Sequence, residues 1–315
     1  MFDALPGARP YDDHRRLPPG SAIAVVGSGI AGLSAAWLLS QRHRVTVFEA
    51  AARLGGHANT VEVEAGGRRI AVDTGFIVYN ERTYPEFVAL LDELGVASQP
   101  SAMSFSVRND ARGLEYNGTS LDGLFAQRRN LLRPSFLGML ADILRFHRIA
   151  PAWLARVGGE GEGGEGSEPT LRDLLREHRF GGRFVEDYLV PMGAAIWSTE
   201  PRLMLDFPAR FFVRFLHQHG MLTVNDRPQW RVIRGGSARY VERLVAPWRD
   251  RIRLSSPVER VRRLPGGEQV QVRGRAPETF DHVFLACHAD QALRLLADLA
   301  PAEREVLGAL PFQRN

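Results

Sequence analysis

The run AVVGSGIAGLSAAWLLSQRHRVTVFE, Ala24 to Glu49, constrains the fold more than any other stretch of this chain. Ala22–Gly27 is a short apolar segment bounded by glycine, the pattern of a buried parallel strand. Ile30–Gln41 carries Ile30, Leu33, Trp37 and Leu38 at helical spacing, and Arg44–Glu49 reads as a second strand. Between the first strand and the helix lies Gly27-x-Gly29-x-x-Gly32. Gly27 permits a tight turn, Gly29 lets the backbone approach a pyrophosphate, and Gly32 lets helix and strand pack closely. The first helical residues, Ile30 and Ala31, then offer unpaired amides to an anion. Glu49 follows Gly29 by 20 residues, where an acid accepts hydrogen bonds from ribose hydroxyls. Strand, helix and acid together predict a dinucleotide-binding unit; a glycine-rich turn that binds nothing would not need them.

The residues after Glu49 separate nicotinamide from flavin. A nicotinamide domain would run into another helix and a third parallel strand. Here Ala50 leads into Arg53-Leu54-Gly55-Gly56-His57. Val61–Glu64 and Arg68–Asp73 then alternate around Ala65-Gly66-Gly67 as a hairpin, which delivers Asp73-Thr74-Gly75-Phe76. E-A-x-x-R-x-G-G-x-x-x-T after GxGxxG resembles the second flavin-binding signature of the amine oxidase and phytoene desaturase superfamily. DTGFIVYNERTYPEFVALLDELGV, IWSTEP, HGMLTVNDRPQW, RGGSARYVERL, PVERVRRL and DHVFLACHADQALRLL are also similar to bacterial amine-oxidase-like flavoproteins. The likeness runs from Ala22 to about Leu296.

The resemblance implies FAD. It places Glu49, Ala50, Arg53, Gly55, Gly56 and His57 along the ribose, pyrophosphate and ribityl chain, and Gly75 and Phe76 near the isoalloxazine. Backbone around Val258 would meet the adenine, and Ala286–His288 would lie near the cofactor. The chemistry agrees, because Arg53 supplies charge and a fork to phosphate and paired glycines clear space. His57 reads as a phosphate-loop residue ahead of a covalent flavin attachment. Asp73 has a plainer alternative, capping a strand-to-helix turn.

The expected fold is α/β: a Rossmann-like FAD-binding domain, parallel sheet plus β-hairpins, with an inserted, mainly helical substrate domain. Residues 1–20 form a lead-in, 21–80 and 229–299 the discontinuous FAD domain, and 81–228 the substrate domain. Tyr84 to about Arg156 and Leu171 to about Gln218 read as helices, separated by GGEGEGGEGSE, 158–168, a predicted mobile loop. From Gln229 the β pattern returns in WRVI, RIRL, VERVRRL, QVQVRG and HVFLAC, followed by a helix over Asp290–Leu299. Residues 300–315 read as a truncated segment. The superfamily continues into a further strand and helix with a glycine-rich flavin motif, so the chain is expected to be a fragment.

All 40 basic residues are arginine, which excludes lysine chemistry within the chain. The single Cys287 forms no internal disulfide and no redox pair, which fits a reducing compartment. With no signal-like or spanning apolar run, the protein is expected in the cytoplasm. The net charge of +4 permits attraction to anionic surfaces, yet no basic run interleaved with aromatics points to nucleic acid. Leu131–Val157 carries Arg133, Arg145, Arg148 and Arg156 among apolar residues. It reads as a helix covering the substrate domain with snorkelling arginines; the alternative is a helix on the inner membrane surface, admitting a lipid.

Phe76, Tyr79, Tyr116, Trp197, His219 and Trp230 are candidate pocket walls; the tyrosines and tryptophans suit a core more often, His219 ends a helix on the plainer reading, and Phe76 sits in a strand-to-helix turn. His217-x-His219 shares a face only on a strand, and RFFVRFLHQHG reads as a helix ending at His219-Gly220, so no metal site is expected. No Ser-His-Asp or paired-carboxylate set supports hydrolysis. The resemblance therefore implies an FAD-dependent oxidoreductase passing hydride from a C–H bond of an apolar, lipid or fatty-acyl substrate to flavin N5, with catalytic residues unassigned. The alternatives are a flavin amine oxidase, an NAD-dependent dehydrogenase and a non-catalytic flavin-binding protein. Oligomeric state is not legible.

Overall fold

The computed structural model describes residues 17–157, 168–223, 227–310 and 312. Most of the 1–20 lead-in and of the 158–168 loop lies outside these residues. The described parts of Met1–Ile77, Ala89–Gln99 and Val232–Arg314 make one compact unit. Those of Val78–Val88 and Pro100–Arg231 make a second.

The first unit is built on strand β1 (Ala22–Val26), helix α1 (Ile30–Ser40) and strand β2 (Arg44–Phe48). Every residue of β1 is apolar, and Ile23, Ala24 and Val25 are fully buried, as a strand covered on both faces requires. A four-stranded sheet runs Ile252–Arg253, β2, β1, His282–Leu285, and all its pairs are parallel. Phe48 meets Phe280 edge-on at 5.8 Å, and the Arg253 guanidinium lies over its ring at 5.2 Å. Beside it an antiparallel meander, Val258–Leu264, Gly267–Val272 and Glu278–Phe280, contributes Val261, Val270, Val272 and Phe280 to a common core with Ala24 and Phe48.

The hairpin expected after β2 is present as β3 (Asn59–Ala65) and β4 (Arg68–Gly75), closed by left-handed Gly66 and Gly67. The expected helix over 290–299 is shorter, Ala289–Leu295. Leu296 leaves it to bridge Val261, and the Ala297 amide donates to the Val261 carbonyl at 2.9 Å, so a sheet partner takes the place of another helical turn. Pro301–Gly308 forms a helix in a segment that sequence reasoning left without one; proline starts it, and Glu303 accepts from the Ala300 amide at 3.0 Å.

The second unit is mainly helical, with Pro134–Val157, Leu171–Glu177, Val190–Trp197 and Ala209–Gln218 around a core of Met139, Phe146, Leu174, Phe184, Phe212 and Leu216. The continuous helical texture expected from Tyr84 to Arg156 is corrected by a hairpin, Ser106–Asn109 with Leu114–Asn117. Its short strands put Val107, Leu114 and Tyr116 inward, while Asn109 caps the intervening turn and Gly113 adopts φ 55°. No described helix is long and apolar enough to cross a membrane.

A buried charge ties this unit together. Asp187, fully buried on a π-helical turn over Val185–Leu189, accepts from Arg112 at 2.8 Å, Arg183 at 2.9 Å and Asn109 at 2.8 Å. Its backbone carbonyl accepts from the Tyr116 hydroxyl at 2.7 Å. The two arginines keep 32% and 40% of their side-chain surface exposed, so they can rehydrate if the carboxylate is removed. Asp187→Ala is therefore expected to lower the unfolding free energy by about 2–3 kcal/mol in urea titration. Unchanged stability would show that the network contributes nothing net.

Candidate cofactor site

The three glycines of the first turn have different reasons to be glycine. Gly27 has φ 108°, and a Cβ there would stand 2.7 Å from the Ala286 carbonyl oxygen. On Gly32 a Cβ would stand 2.0 Å from the Gly27 carbonyl oxygen. Both are demanded by strand–helix packing within the chain. Gly29 is not: its φ is −69°, and a Cβ there would meet nothing within 4 Å. The space it leaves open is at the N-terminus of α1, where no side chain caps the helix and no acid occupies the first turn. Ile30 and Ala31 are exposed, and no acceptor among the described residues takes their amide hydrogens. Free donors, a positive helix end and cleared space fit a pyrophosphate.

Glu49 stands where the second strand ends, and its carboxylate is already engaged. Oε2 accepts from the Ser28 amide at 2.9 Å and from the Ser28 hydroxyl, while Oε1 accepts from the Ala51 amide at 2.8 Å. An ionised carboxylate has about four acceptor sites, so capacity remains for a ribose hydroxyl. Ser28 itself was missed by sequence reasoning; it sits inside the glycine motif, where attention goes to the glycines. The Ser255 and Ser256 amides donate to the Ala51 and Glu49 carbonyls, which starts the Val258 strand beside this end of β2.

Arg53 is exposed, and its guanidinium is turned onto its own loop, donating to the carbonyls of Gly56 at 2.9 Å and Leu54 at 3.3 Å. It holds the Gly55-Gly56 turn in shape. That turn presses on the first motif, because a Cβ on Gly56, at φ 56°, would lie 2.9 Å from the Gly29 Cα. His57 follows, exposed, with its ring stacked on that of His288 at 5.9 Å. The His57 carbonyl faces the end of β4, where a Cβ on Gly75 would approach it to 2.3 Å. Next to Gly75, Phe76 adopts φ 51°, a left-handed conformation costly for an aromatic residue. Asp73 does not cap a helix through its own chain neighbours: it accepts from Thr60 Oγ1 at 2.6 Å and from the amide and hydroxyl of Ser237, each at 2.8 Å. Burial pushes the Cys287 thiol up, so it is protonated at neutral pH and is a poor nucleophile.

Gly27, Gly29, Ile30, Ala31, Gly32, Glu49, Ala50, Arg53, Gly55, Gly56, His57, Gly75, Phe76, Val258 and Ala286 all fall in the first unit. The remaining candidates fall in the second. There Phe215 brings two of them together, stacking on His219 at 4.0 Å and packing against Trp197 at 4.8 Å. His219 closes its helix, with Nδ1 2.9 Å from the Phe215 carbonyl, and left-handed Gly220 follows. Tyr79 is buried with its ring edge-on to Phe87 at 5.2 Å, and Tyr116 is buried against Phe136, so both pack as core side chains. Trp230 is half-buried on a strand paired with Tyr79–Asn80. Among the described residues no cluster of His, Cys, Asp or Glu is arranged to hold a metal.

Open space, an uncapped helix end and a fixed acid at the end of β2 fit the adenine and pyrophosphate half of a dinucleotide. The profile of the family described as flavin containing amine oxidoreductase matches residues 30–313, and the chain belongs to that family. It is 24% identical over 299 residues to an L-amino-acid oxidase of Siganus canaliculatus, covering 86% of this chain and 49% of that protein. It is 37% identical over 172 residues to the chloroplastic/mitochondrial protoporphyrinogen oxidase 2 of Arabidopsis thaliana, covering 54% of this chain and 31% of that one. Among solved structures, wild-type putrescine oxidase bound to putrescine shares the fold at 18% identity and a TM-score of 0.68, over 92% of this chain and 63% of that one. Cyclohexylamine oxidase from Brevibacterium oxydans does so at 20% identity and 0.68, with the same coverage. The chain thus spans about half or less of the curated relatives' length and 63% of these structures. Membership of this family makes the dinucleotide FAD and sets aside the nicotinamide alternative.

The differing roles of the glycines are separable by mutation. Gly29→Ala, made into open space at an ordinary φ, is expected to leave the melting temperature of the cofactor-free protein unchanged while weakening FAD binding by tenfold or more. Gly32→Ala is expected to disrupt folding, because its Cβ has no room. FAD titration by fluorescence, run beside thermal unfolding, reads both; equal FAD affinity in Gly29→Ala would remove the pyrophosphate from this helix end.

Proposed function

We propose that the chain acts as an FAD-dependent oxidoreductase, oxidising a C–H bond beside an activating group in a small and largely apolar substrate, with lipid or fatty-acyl chains as the favoured class. The observation that carries the dinucleotide part is the open space before Gly29 at an uncapped helix N-terminus, and family membership makes that dinucleotide FAD. The apolar part is supported by the wholly arginine basic set, which offers no amine nucleophile, and by the Trp197, Phe215 and His219 ring group of the helical unit. A second reading, oxidation of an amine, is favoured by the amine and amino-acid oxidases among the similar proteins.

When bound, FAD supplies the acceptor for the hydride equivalent. The protein's own part is to bind and orient. The Ile30 and Ala31 amides would take the pyrophosphate at the positive end of α1. Glu49, fixed by Ser28 and Ala51, would accept from the ribose. Arg53 keeps the Gly55-Gly56 turn folded against Gly29, and Gly75 and Phe76 would approach the ring system from the end of β4. The single Cys287 fits a reducing, cytoplasmic setting, and the partner on this reading is a small molecule, not a nucleic acid.

Visible absorption of the purified protein, before and after acid precipitation, tests the first claim; a flavin spectrum released into the supernatant is expected. Anaerobic addition of fatty acyl compounds should then bleach it. Bleaching by amines alone would transfer the assignment to the second reading. A colourless protein that refuses added FAD would overturn the proposal.

A further inference from the structure

Helix Pro134–Val157 is 24 residues, about 36 Å long, and buries Phe136, Met139, Phe146, Ala150 and Trp153 within its own unit. The outward side of its first half is not polar. Leu137 and Leu144 are 43% and 59% exposed, and just before the helix Leu131 and Leu132 are 47% and 87% exposed. Leu137, Ala141, Leu144 and Arg148 follow one another at helical spacing, and all four are exposed, so they form one stripe. One surface leucine is ordinary; four in a short run make a patch.

Charge singles out the same region. Residues 121–157 contain six arginines against two aspartates, an excess equal to the +4 of the whole chain. One of those aspartates, Asp142, is turned inward, 3.5 Å from Arg145 and accepting from the Gly181 amide at 2.8 Å. The other, Asp122, pairs with Arg128 at 3.0 Å. Among the described residues no carboxylate pairs with Arg133, which follows Leu131 and Leu132, or with Arg148, which continues the Leu137 and Leu144 stripe.

We propose that this face, Leu131, Leu132, Leu137 and Leu144 with Arg133 between the two leucine pairs and Arg148 after them, rests on an anionic lipid surface. Aliphatic side chains enter the acyl boundary while arginines reach the headgroup phosphates with their stems along the apolar layer. Nucleic acid would satisfy the arginines but offers the leucines nothing. The proposal stands on the second unit alone and does not depend on the flavin assignment.

The test is co-sedimentation of the purified chain with vesicles of phosphatidylcholine alone and of equal parts phosphatidylcholine and phosphatidylglycerol. Sedimentation is expected only with the second, and is expected to fall as salt rises. Arg133→Gln with Arg148→Gln should weaken it by about tenfold or more. Leu132→Ser with Leu144→Ser should weaken it similarly, with circular dichroism unchanged because these are the two most exposed leucines of the face. Failure to sediment with the anionic vesicles would overturn the proposal, as would full retention in both variants. Duplex DNA bound as tightly as the vesicles, with the leucine variant unaffected, would reassign the face to nucleic acid.

Discussion

Backbone lying directly on backbone is the constraint from which the first unit follows. The Gly27 carbonyl sits where a side chain on Gly32 would be, the Ala286 carbonyl where one on Gly27 would be, and the Gly29 Cα close to where one on Gly56 would be. Three chain segments, the first turn, the loop after β2 and the end of the strand His282–Leu285, therefore meet without side chains between them. Such approach is open only to glycine. It brings the ends of parallel strands and the start of α1 to one place, and it leaves the α1 amides facing outward. Arg53 and Glu49 serve the same arrangement, one by holding the second loop to its own carbonyls and the other by fixing Ser28 and Ala51.

Much of this was legible in the sequence, since each signal was local. The uniformly apolar β1 and the glycine spacing announced a buried parallel strand feeding a helix, and strict alternation around Gly66-Gly67 announced the hairpin. What stayed hidden was set by distant partners. Asp187 looks like a surface charge on a helical segment until Arg112, 75 residues away, and Asn109 close on it. The strand Ser106–Asn109 has a single inward apolar residue, Val107, too weak a period to distinguish from the helices around it. The left-handed Phe76 carries no sequence mark at all.

The two units divide the work in physical terms. The first supplies fixed donors and cleared space, which need rigid backbone and little side-chain chemistry. The second supplies aromatic bulk and a buried charge network that pins hairpin, turn and helix to one another. The leucine and arginine face belongs to this second unit and the proposed pyrophosphate site to the first, so the two proposals can be tested separately.

The central claim is that the N-terminus of α1 holds the FAD pyrophosphate, and a crystal structure of the chain grown with FAD tests it most directly. The account predicts phosphate oxygens within hydrogen-bonding distance of the Ile30 and Ala31 amides, in front of Gly29, with a ribose hydroxyl on Glu49. FAD bound elsewhere, with that helix end facing only solvent, would contradict it.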